Sequence, residues 1–226
     1  IFERMIKEGL NDLMWMCGTR TDRVDPDLLA LMYEAGCRCV GYGIESGNQQ
    51  SLDVIRKNIT VERQEEAVQW THKAKLSLLL SYIICLPGET EEMVHNTIKY
   101  AKRLGGQMTM FYLPVPYPAT ELYEACKRTG GIRETKNWNE YLSVDFENPV
   151  YVNPLIGVER MKYWYKRAYW EYYTYPKVWI NNLKSAVRTR DVSRYLRGVN
   201  ALRSLMFHNT GDFVRSFYRG FHGQGT

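Results

Sequence analysis

Ser-Leu-Leu-Leu-Ser-Tyr-Ile-Ile-Cys at 77–85 runs directly into Leu-Pro-Gly-Glu-Thr at 86–90 and then into Glu-Glu-Met-Val-His-Asn-Thr-Ile-Lys-Tyr-Ala-Lys-Arg-Leu-Gly at 91–105. The first stretch is apolar on both faces, the pattern of a parallel strand covered on both sides. The apolar run from Leu76 to Leu86 is broken by Ser77 and Ser81. It has about half the length of a membrane span, so it reads as a buried strand. Pro87 then fixes a turn, Gly88 permits an unusual backbone angle, and Thr90 caps a helix. Glu91 and Glu92 fall in the first turn of that helix, Lys99, Lys102 and Arg103 in its last turns, and Gly105 ends it. Charges so placed complement the helix dipole at both ends. This is one strand–loop–helix unit.

The same unit recurs on both sides of it. Asp12–Cys17 reads as a short apolar strand, followed by a helix that Asp25 caps, with Pro26 in its first turn and Asp27 at its positive end. Leu28, Leu31, Met32 and Ala35 repeat at helical spacing, Gly36 stops the helix, and Cys37–Ile44 forms the second strand. Gln49–Arg56 reads as a short helix, and Thr60 caps a longer one with Ala67, Val68, Thr71 and Ala74 on its inner face. Met108–Leu113 is the fourth strand. Repeated strand–helix units predict an α/β fold with its chemistry at the strand ends, as in TIM-like barrels. Four strands cannot close a barrel. The expectation is therefore part of a barrel in residues 1–130, with the missing units upstream. The start at Ile1, inside what reads as the end of a helix (1–10), fits a longer parent chain.

Beyond the fourth strand the pattern changes. Residues 131–157 are polar, with Asn and Pro, and read as linker or surface loop. Residues 158–226 read as a mostly helical, aromatic and basic extension. In it, Met161, Tyr165, Ala168, Tyr172 and Tyr175 form a stripe, while Tyr163, Trp164, Trp170 and Tyr173 make the helix aromatic nearly all round. Such a helix either packs between barrel and tail or forms an aromatic wall facing a substrate.

Composition sets limits on function. With 226 residues, 45% of them apolar and 24% charged, the chain can bury a real core. Five scattered cysteines (Cys17, Cys37, Cys39, Cys85, Cys126) give no disulfide framework and favour a reducing, cytoplasmic setting. Cys37 and Cys39 point to one face of a strand and read as small apolar groups before they read as a metal pair. The net charge of +5 is uneven: residues 184–226 carry eight basic side chains against Asp191 and Asp212, a net +6, which leaves −1 for residues 1–183.

The loops carry the chemistry. In Gly43-Ile-Glu-Ser-Gly47, two glycines flank a carboxylate and a hydroxyl at a strand end, where backbone and side chains can approach a ligand closely. Glu45 and Ser46 suit a sugar diol, since the carboxylate accepts from two hydroxyls and serine can donate. A tight turn with Glu45 in solvent is the other reading of this motif alone. In the third loop, Pro-Val-Pro-Tyr-Pro-Ala-Thr-Glu-Leu-Tyr at 114–123, Tyr117 and Tyr123 could stack on a flat ring.

In order, Gly-Ile-Glu-Ser-Gly, Leu-Asp-x-Ile-x-Lys-x-Ile-Thr at 52–60, Leu-Pro-Gly-Glu-Thr, and Pro-Tyr-Pro-x-Thr-x-Leu-Tyr at 116–123 resemble the radical S-adenosylmethionine superfamily. Trp15-x-Cys17-x-Thr19-Arg20-x-Asp22-x-Val24-Asp25 and Met32-x-x-Ala35-Gly36-Cys37 resemble its branch with an upstream cobalamin-binding domain. The resemblance covers roughly residues 12–126. It implies a partial (β/α)6 barrel that uses S-adenosylmethionine, a 4Fe-4S cluster and, in this branch, cobalamin. By it, Glu45 and Ser46 match the ribose site and Lys57 the cation for the methionine carboxylate. Ile84, Leu86 and Pro87 match the shelf under the adenine. Arg20 is a candidate for a carboxylate or substrate contact, with a surface salt bridge as the other reading.

Three departures stand out. Cys85 and Ala119 occupy positions where the family has glycine. The family's Cys-x-x-x-Cys-x-x-Cys, which holds the cluster, does not occur in this sequence. The chain is therefore expected to be a catalytically inactive portion of a larger enzyme whose cluster ligands and cobalamin domain lie upstream. The resemblance also implies an electron donor such as flavodoxin or ferredoxin. The expected substrate is a small or lipid-like molecule, bulky and apolar, with a membrane surface as a further partner. The outcome is methyl transfer, cyclisation or rearrangement. Two rival readings share these residues. One is a non-catalytic α/β binding or scaffold domain. The other is an RNA-modifying enzyme that uses the basic tail, with Tyr195, Phe213, Phe217, Tyr218 and Phe221 stacking on bases. Arginines at helical spacing more often form a solvated face, so nucleic acid is not the favoured partner.

Overall fold

The computed structural model of the protein describes residues 1–180, and the basic tail with its RNA-binding reading lies outside them. Four strands, β1 (Trp15–Thr19), β2 (Cys37–Glu45), β3 (Ser77–Ile83) and β4 (Met108–Tyr112), pair in parallel in the order β1-β2-β3-β4. The α-helices that accompany them are α1 (Phe2–Lys7), α2 (Pro26–Glu34), α3 (Gln49–Val54), α4 (Val61–Lys73), α5 (Glu91–Leu104), α6 (Glu121–Thr129) and α7 (Val158–Tyr173), and residues 176–180 are helical as well. This is the α/β architecture of a TIM-like partial barrel, as the alternating units predict. The first strand begins three residues later than Asp12, because Leu10–Leu13 closes a turn whose carbonyls crowd Gly36.

The helix starts follow from local chemistry. Asp25, Thr60, Thr90 and Thr120 each accept a hydrogen bond from a backbone N–H of the first turn they cap. Gly105 ends α5 in the left-handed region, φ 69°.

The sheet has two unlike faces. Val40, Tyr42, Ile44, Leu78, Leu80, Tyr82 and Phe111 point into one core with Leu29, Val68, Val94, Ile98 and Tyr172 from the helices. The alternate residues point the other way, where the register sets Gly18 beside Gly41, Leu79 beside Met108, and Ser81 beside Met110. Among the described residues this second face lacks a helical cover, so Leu79 and Ile83 are only half-buried. β3 is thus covered on one side here, not on both, because the open side is the concave face of an unclosed barrel.

The outer edge of β4 is closed by tyrosine hydroxyls. Helix α7 lies along it, and Tyr169 Oη accepts from the Phe111 N–H (3.2 Å) and donates to the Phe111 carbonyl (3.0 Å). Tyr173 does the same to Thr109, at 3.2 and 2.8 Å. Thr109 and Phe111 are the alternate residues whose polar groups face away from β3, so the two phenols take the hydrogen bonds a further strand would make. Tyr172 donates to the Gly106 carbonyl at 2.6 Å. The aromatic helix is therefore a packing element of the sheet edge. Of its expected stripe, Met161, Tyr165, Ala168 and Tyr172 are buried, and Trp164 and Tyr169 are buried with them. Tyr175 stays 39% exposed, one turn past the packed face.

Residues 131–157 have little regular structure, yet they are more than a surface linker. Ile132 bridges Tyr151 antiparallel, the Leu113 N–H reaches the Ser143 carbonyl, and Phe146, Val150, Tyr151, Asn153 and Ile156 are buried. No helix among the described residues is long and apolar enough to cross a membrane.

Replacing both Tyr169→Phe and Tyr173→Phe strips partners from two N–H and two carbonyl groups at the buried edge. Urea unfolding should register a loss of roughly 2–6 kcal/mol, about 1–3 kcal/mol for each tyrosine removed. A loss under about 0.5 kcal/mol would show that the phenols are not what closes β4.

Candidate functional site

Arg20, Glu45 and Lys57, far apart in sequence, meet at the C-terminal ends of β1 and β2. Lys57 follows α3, and its Nζ lies 2.7 Å from Glu45 Oε1, with the two side chains only 15% and 18% exposed. Arg20 clasps Asp22 at 2.9 and 3.2 Å and donates to the Lys57 carbonyl at 3.0 Å. The hydrogen bond to Asp22 raises the Arg20 pKa and lowers that of Asp22. Arg20 therefore makes its surface salt bridge and also braces the backbone of Lys57. Of the two sequence readings of Arg20, the structure shows the surface salt bridge.

Backbone strain is concentrated here. Glu45, Arg56 and Asn58 have φ of 67°, 51° and 53°, left-handed values that side chains rarely adopt. Gly43 has a different purpose. A Cβ there would lie 2.5 Å from Glu45 Oε1 and 3.3 Å from Lys57 Nζ, so its hydrogen leaves room for the ion pair. Gly47 is required by packing: a Cβ would come within 2.6 Å of Tyr100 Cβ.

Ser46 is placed otherwise than the sugar-diol reading supposes. It is fully buried, donates to Glu89 Oε1 at 3.1 Å, and shares a 3.0 Å hydrogen bond with Thr97 Oγ1. In the structure its hydroxyl ties two loops together. Glu89 is the hub. Also fully buried, it accepts from the Ser51 hydroxyl at 2.7 Å and from the Leu86 N–H at 3.0 Å. Burial raises its pKa, against the opposing pull of those hydrogen bonds. Asn48 completes the network by donating to the Met93 carbonyl at 2.8 Å and to Thr97 Oγ1 at 3.0 Å. The Leu-Pro-Gly-Glu-Thr loop, the Gly-Ile-Glu-Ser-Gly loop and α5 are thus joined through one carboxylate.

Ile84, Leu86 and Pro87 line up behind that carboxylate and are buried. The Ile84 N–H bonds the Tyr112 carbonyl, and the Leu86 carbonyl accepts from Asn153 Nδ2 at 2.7 Å. Cys85 between them has φ 64°, and Ala119 has φ 63°. Both angles lie in the left-handed region that glycine adopts without strain, in keeping with the glycine that the resemblance implies at these positions. In the third loop Tyr117 stacks on Tyr141, with centroids 5.5 Å apart and planes 17° apart, and Trp138 leans on Tyr141. Tyr117 and Trp138 are 47% and 67% exposed. Arg56 pairs with Glu121 at 2.8 Å, which brings this loop to the same rim as Lys57. Tyr123 sits in the first turn of α6, and its N–H binds the Thr120 cap.

Sequence reasoning missed Glu89 as a structural hub, although its place three residues after Leu86 at a helix entry was a usable signal. It also missed Tyr141, Trp138 and Asn153, whose partners are distant in sequence. Among the described residues no group of three or more His, Cys, Asp or Glu could hold a metal ion.

Two outcomes test this geometry. Cys85→Gly should stabilise the fold by about 0.5–1 kcal/mol in urea unfolding, because glycine adopts the left-handed angle without strain. Burial raises the pKa of Glu89 above its ordinary 4.5, so it ionises less readily in the folded protein than in the unfolded chain. Its contribution is therefore full below pH 4.5 and fades as pH rises through the raised value. The stability difference between wild type and Glu89→Gln should move against the wild type over that upward window. A pH-independent difference would show that the carboxyl is not desolvated.

The model of the radical SAM superfamily matches residues 2–101. An uncharacterized methyltransferase of Pyrococcus horikoshii is 34% identical over 180 residues, which is 80% of this chain and 38% of that protein. The anaerobic magnesium-protoporphyrin IX monomethyl ester cyclase of Cereibacter sphaeroides is 28% identical over 151 residues, or 66% of this chain and 24% of the cyclase. The chain thus spans well under half the length of these relatives. The solved structure of the radical S-adenosylmethionine methyltransferase TsrM from Kitasatospora setae, with cobalamin and a 4Fe-4S cluster bound, aligns with a TM-score of 0.58 and 18% identity over 74% of this chain and 39% of that one. That likeness bears on the fold. The loops at the ends of β1, β2 and β3 lie inside the matched stretch, and the chain belongs to the radical SAM superfamily.

Proposed function

We propose that this chain is the S-adenosylmethionine-binding portion of a cobalamin-dependent radical enzyme, and that the Glu45–Lys57 ion pair is the centre of its binding site. The observation that carries the reading is this half-buried pair, on strained backbone at a strand end, with Gly43 leaving it space. The residues fit the ligand. Glu45 can accept from both ribose hydroxyls, Lys57 can neutralise the methionine carboxylate, and Arg20 holds Lys57 in place. Beside a reduced four-iron cluster, S-adenosylmethionine supplies a 5′-deoxyadenosyl radical or a methyl group. The described residues offer no cluster ligands, so the reading assigns them to a part of the whole protein that this chain does not span. On that reading the chain alone is inactive, and an electron donor such as flavodoxin or ferredoxin serves the whole enzyme.

The substrate is read as a small, bulky apolar ring. Leu79, Ile83, Met108 and Met110 give the β3–β4 half of the open face an apolar wall, and the exposed Tyr117 and Trp138, which pack on Tyr141, offer aromatic surface near it. The charges are confined to the β1–β2 half. A relative named for a magnesium-protoporphyrin ester supports a planar substrate.

Equilibrium dialysis of S-adenosylhomocysteine against the full-length, cluster-loaded protein tests the site. Glu45→Gln and Lys57→Met should each weaken binding by about tenfold, some 1.4 kcal/mol. Under anaerobic reduction the wild type should convert S-adenosylmethionine to 5′-deoxyadenosine or to S-adenosylhomocysteine. Neither product from protein with an intact cluster would defeat the reading.

A further inference from the structure

Asn153 lies well beyond residues 2–101, yet it is fully buried against the loop after β3. Its Nδ2 donates to the Leu86 carbonyl at 2.7 Å and to the Glu89 carbonyl at 2.9 Å. Its Oδ1 accepts from the Leu155 N–H at 2.9 Å, and its own carbonyl accepts from the Ile156 and Gly157 N–H groups at 3.1 and 2.8 Å, forming the turn that starts α7. Every strong hydrogen-bonding group of this amide is therefore committed. Two commitments point at the cofactor loop and one at the turn into the edge helix.

Loop geometry explains why those two donors matter. Between β3 and the Thr90 cap, the loop must hold Cys85 at φ 64° and Gly88 at φ 80°. Glu89 fixes the loop from one side through its own Leu86 N–H contact. The Leu86 carbonyl also accepts from the Glu89 N–H at 3.0 Å, closing the turn, whereas the Glu89 carbonyl at the helix entry is bonded by Asn153. Burial of a backbone carbonyl without a partner is costly, and one nitrogen with two N–H donors reaches both carbonyls at once.

We propose that Asn153 is a positioning residue for the adenosyl end of S-adenosylmethionine. It fixes the Leu86–Glu89 loop from the C-terminal segment and couples that loop to α7. The proposal rests on the binding site put forward above. It goes further in assigning part of the adenine support to a residue outside the stretch that matches the family.

The test uses full-length, cluster-loaded protein and measures the dissociation constants of S-adenosylhomocysteine and of free methionine, together with amide hydrogen exchange. Asn153→Ala should weaken S-adenosylhomocysteine about tenfold or more, leave methionine within about twofold, and speed exchange at residues 86–90 while the β2 and β3 amides stay protected. Asn153→Ser keeps a short acceptor for the turn into α7 but cannot reach both loop carbonyls. It should lose affinity as the alanine variant does, which separates the loop contact from the helix start. Unchanged S-adenosylhomocysteine affinity in a folded Asn153→Ser protein would overturn the proposal, and so would an equal loss for both ligands. Failure of the wild type to bind S-adenosylhomocysteine would instead overturn the binding-site reading, and this proposal with it.

Discussion

A buried carboxylate sets the geometry at the strand ends. Glu89 is removed from solvent and carries no cationic partner among its hydrogen bonds; Ser46, Ser51 and the Leu86 N–H surround it instead. A group so placed is stable only while its acceptors stay filled, because an unfilled polar atom at that depth costs about 1–3 kcal/mol. The network is therefore all-or-none. Shifting the loop after β2 strands Glu89, and shifting the loop after β3 strands Ser46 and Thr97. That mutual dependence holds Glu45, one residue before Ser46, at a backbone angle it would not adopt alone.

The site and the sheet edge solve one problem in opposite ways. A four-stranded parallel sheet that does not close into a barrel has free edges and an uncovered concave face. At β4 the edge is closed by Tyr169 and Tyr173, whose phenols donate and accept at once and so imitate a strand's alternating pairs. On the concave face small residues are kept where bulk would interfere. Gly18 and Gly41 sit side by side on β1 and β2, whereas β3 and β4 place Leu79 and Met108 in the same row. The face thus has glycines beside the Glu45–Lys57 pair on its β1–β2 half and larger apolar side chains on its β3–β4 half.

The sequence made the units legible because each helix announces its own start: Asp25, Thr60, Thr90 and Thr120 are local signals read by local hydrogen bonds. It also placed Arg20 and Glu45 at strand ends, which follows from the unit pattern, while Lys57 after α3 came only from the resemblance. Contacts at long sequence range were not. Ser46 looked like a ligand group because a serine between glycines at a strand end suits a sugar; only the fold brings Glu89 and Thr97, 43 and 51 residues away, to claim its hydroxyl. Residues 131–157 looked like linker because their polar composition hides Phe146, Tyr151 and Asn153, which are buried by partners elsewhere in the chain. The aromatic helix carried no periodicity that could distinguish a sheet-edge cap from a substrate wall, because both call for tyrosine.

The cysteine and alanine at the family's glycine positions fit the same picture of strain held in place by neighbours. Cys85 and Ala119 occupy left-handed angles on the loops after β3 and β4. Each costs on the order of 1 kcal/mol relative to glycine, which the surrounding structure must offset. For Cys85 the offset is visible: the loop is held from the β2 side by Glu89 and from the α7 side by Asn153, so its shape is over-determined. A loop fixed by two independent clamps can tolerate an unfavourable residue at its turn without moving. The departures from glycine are then consistent with a loop that keeps its shape, which the clamps and not the turn residue determine.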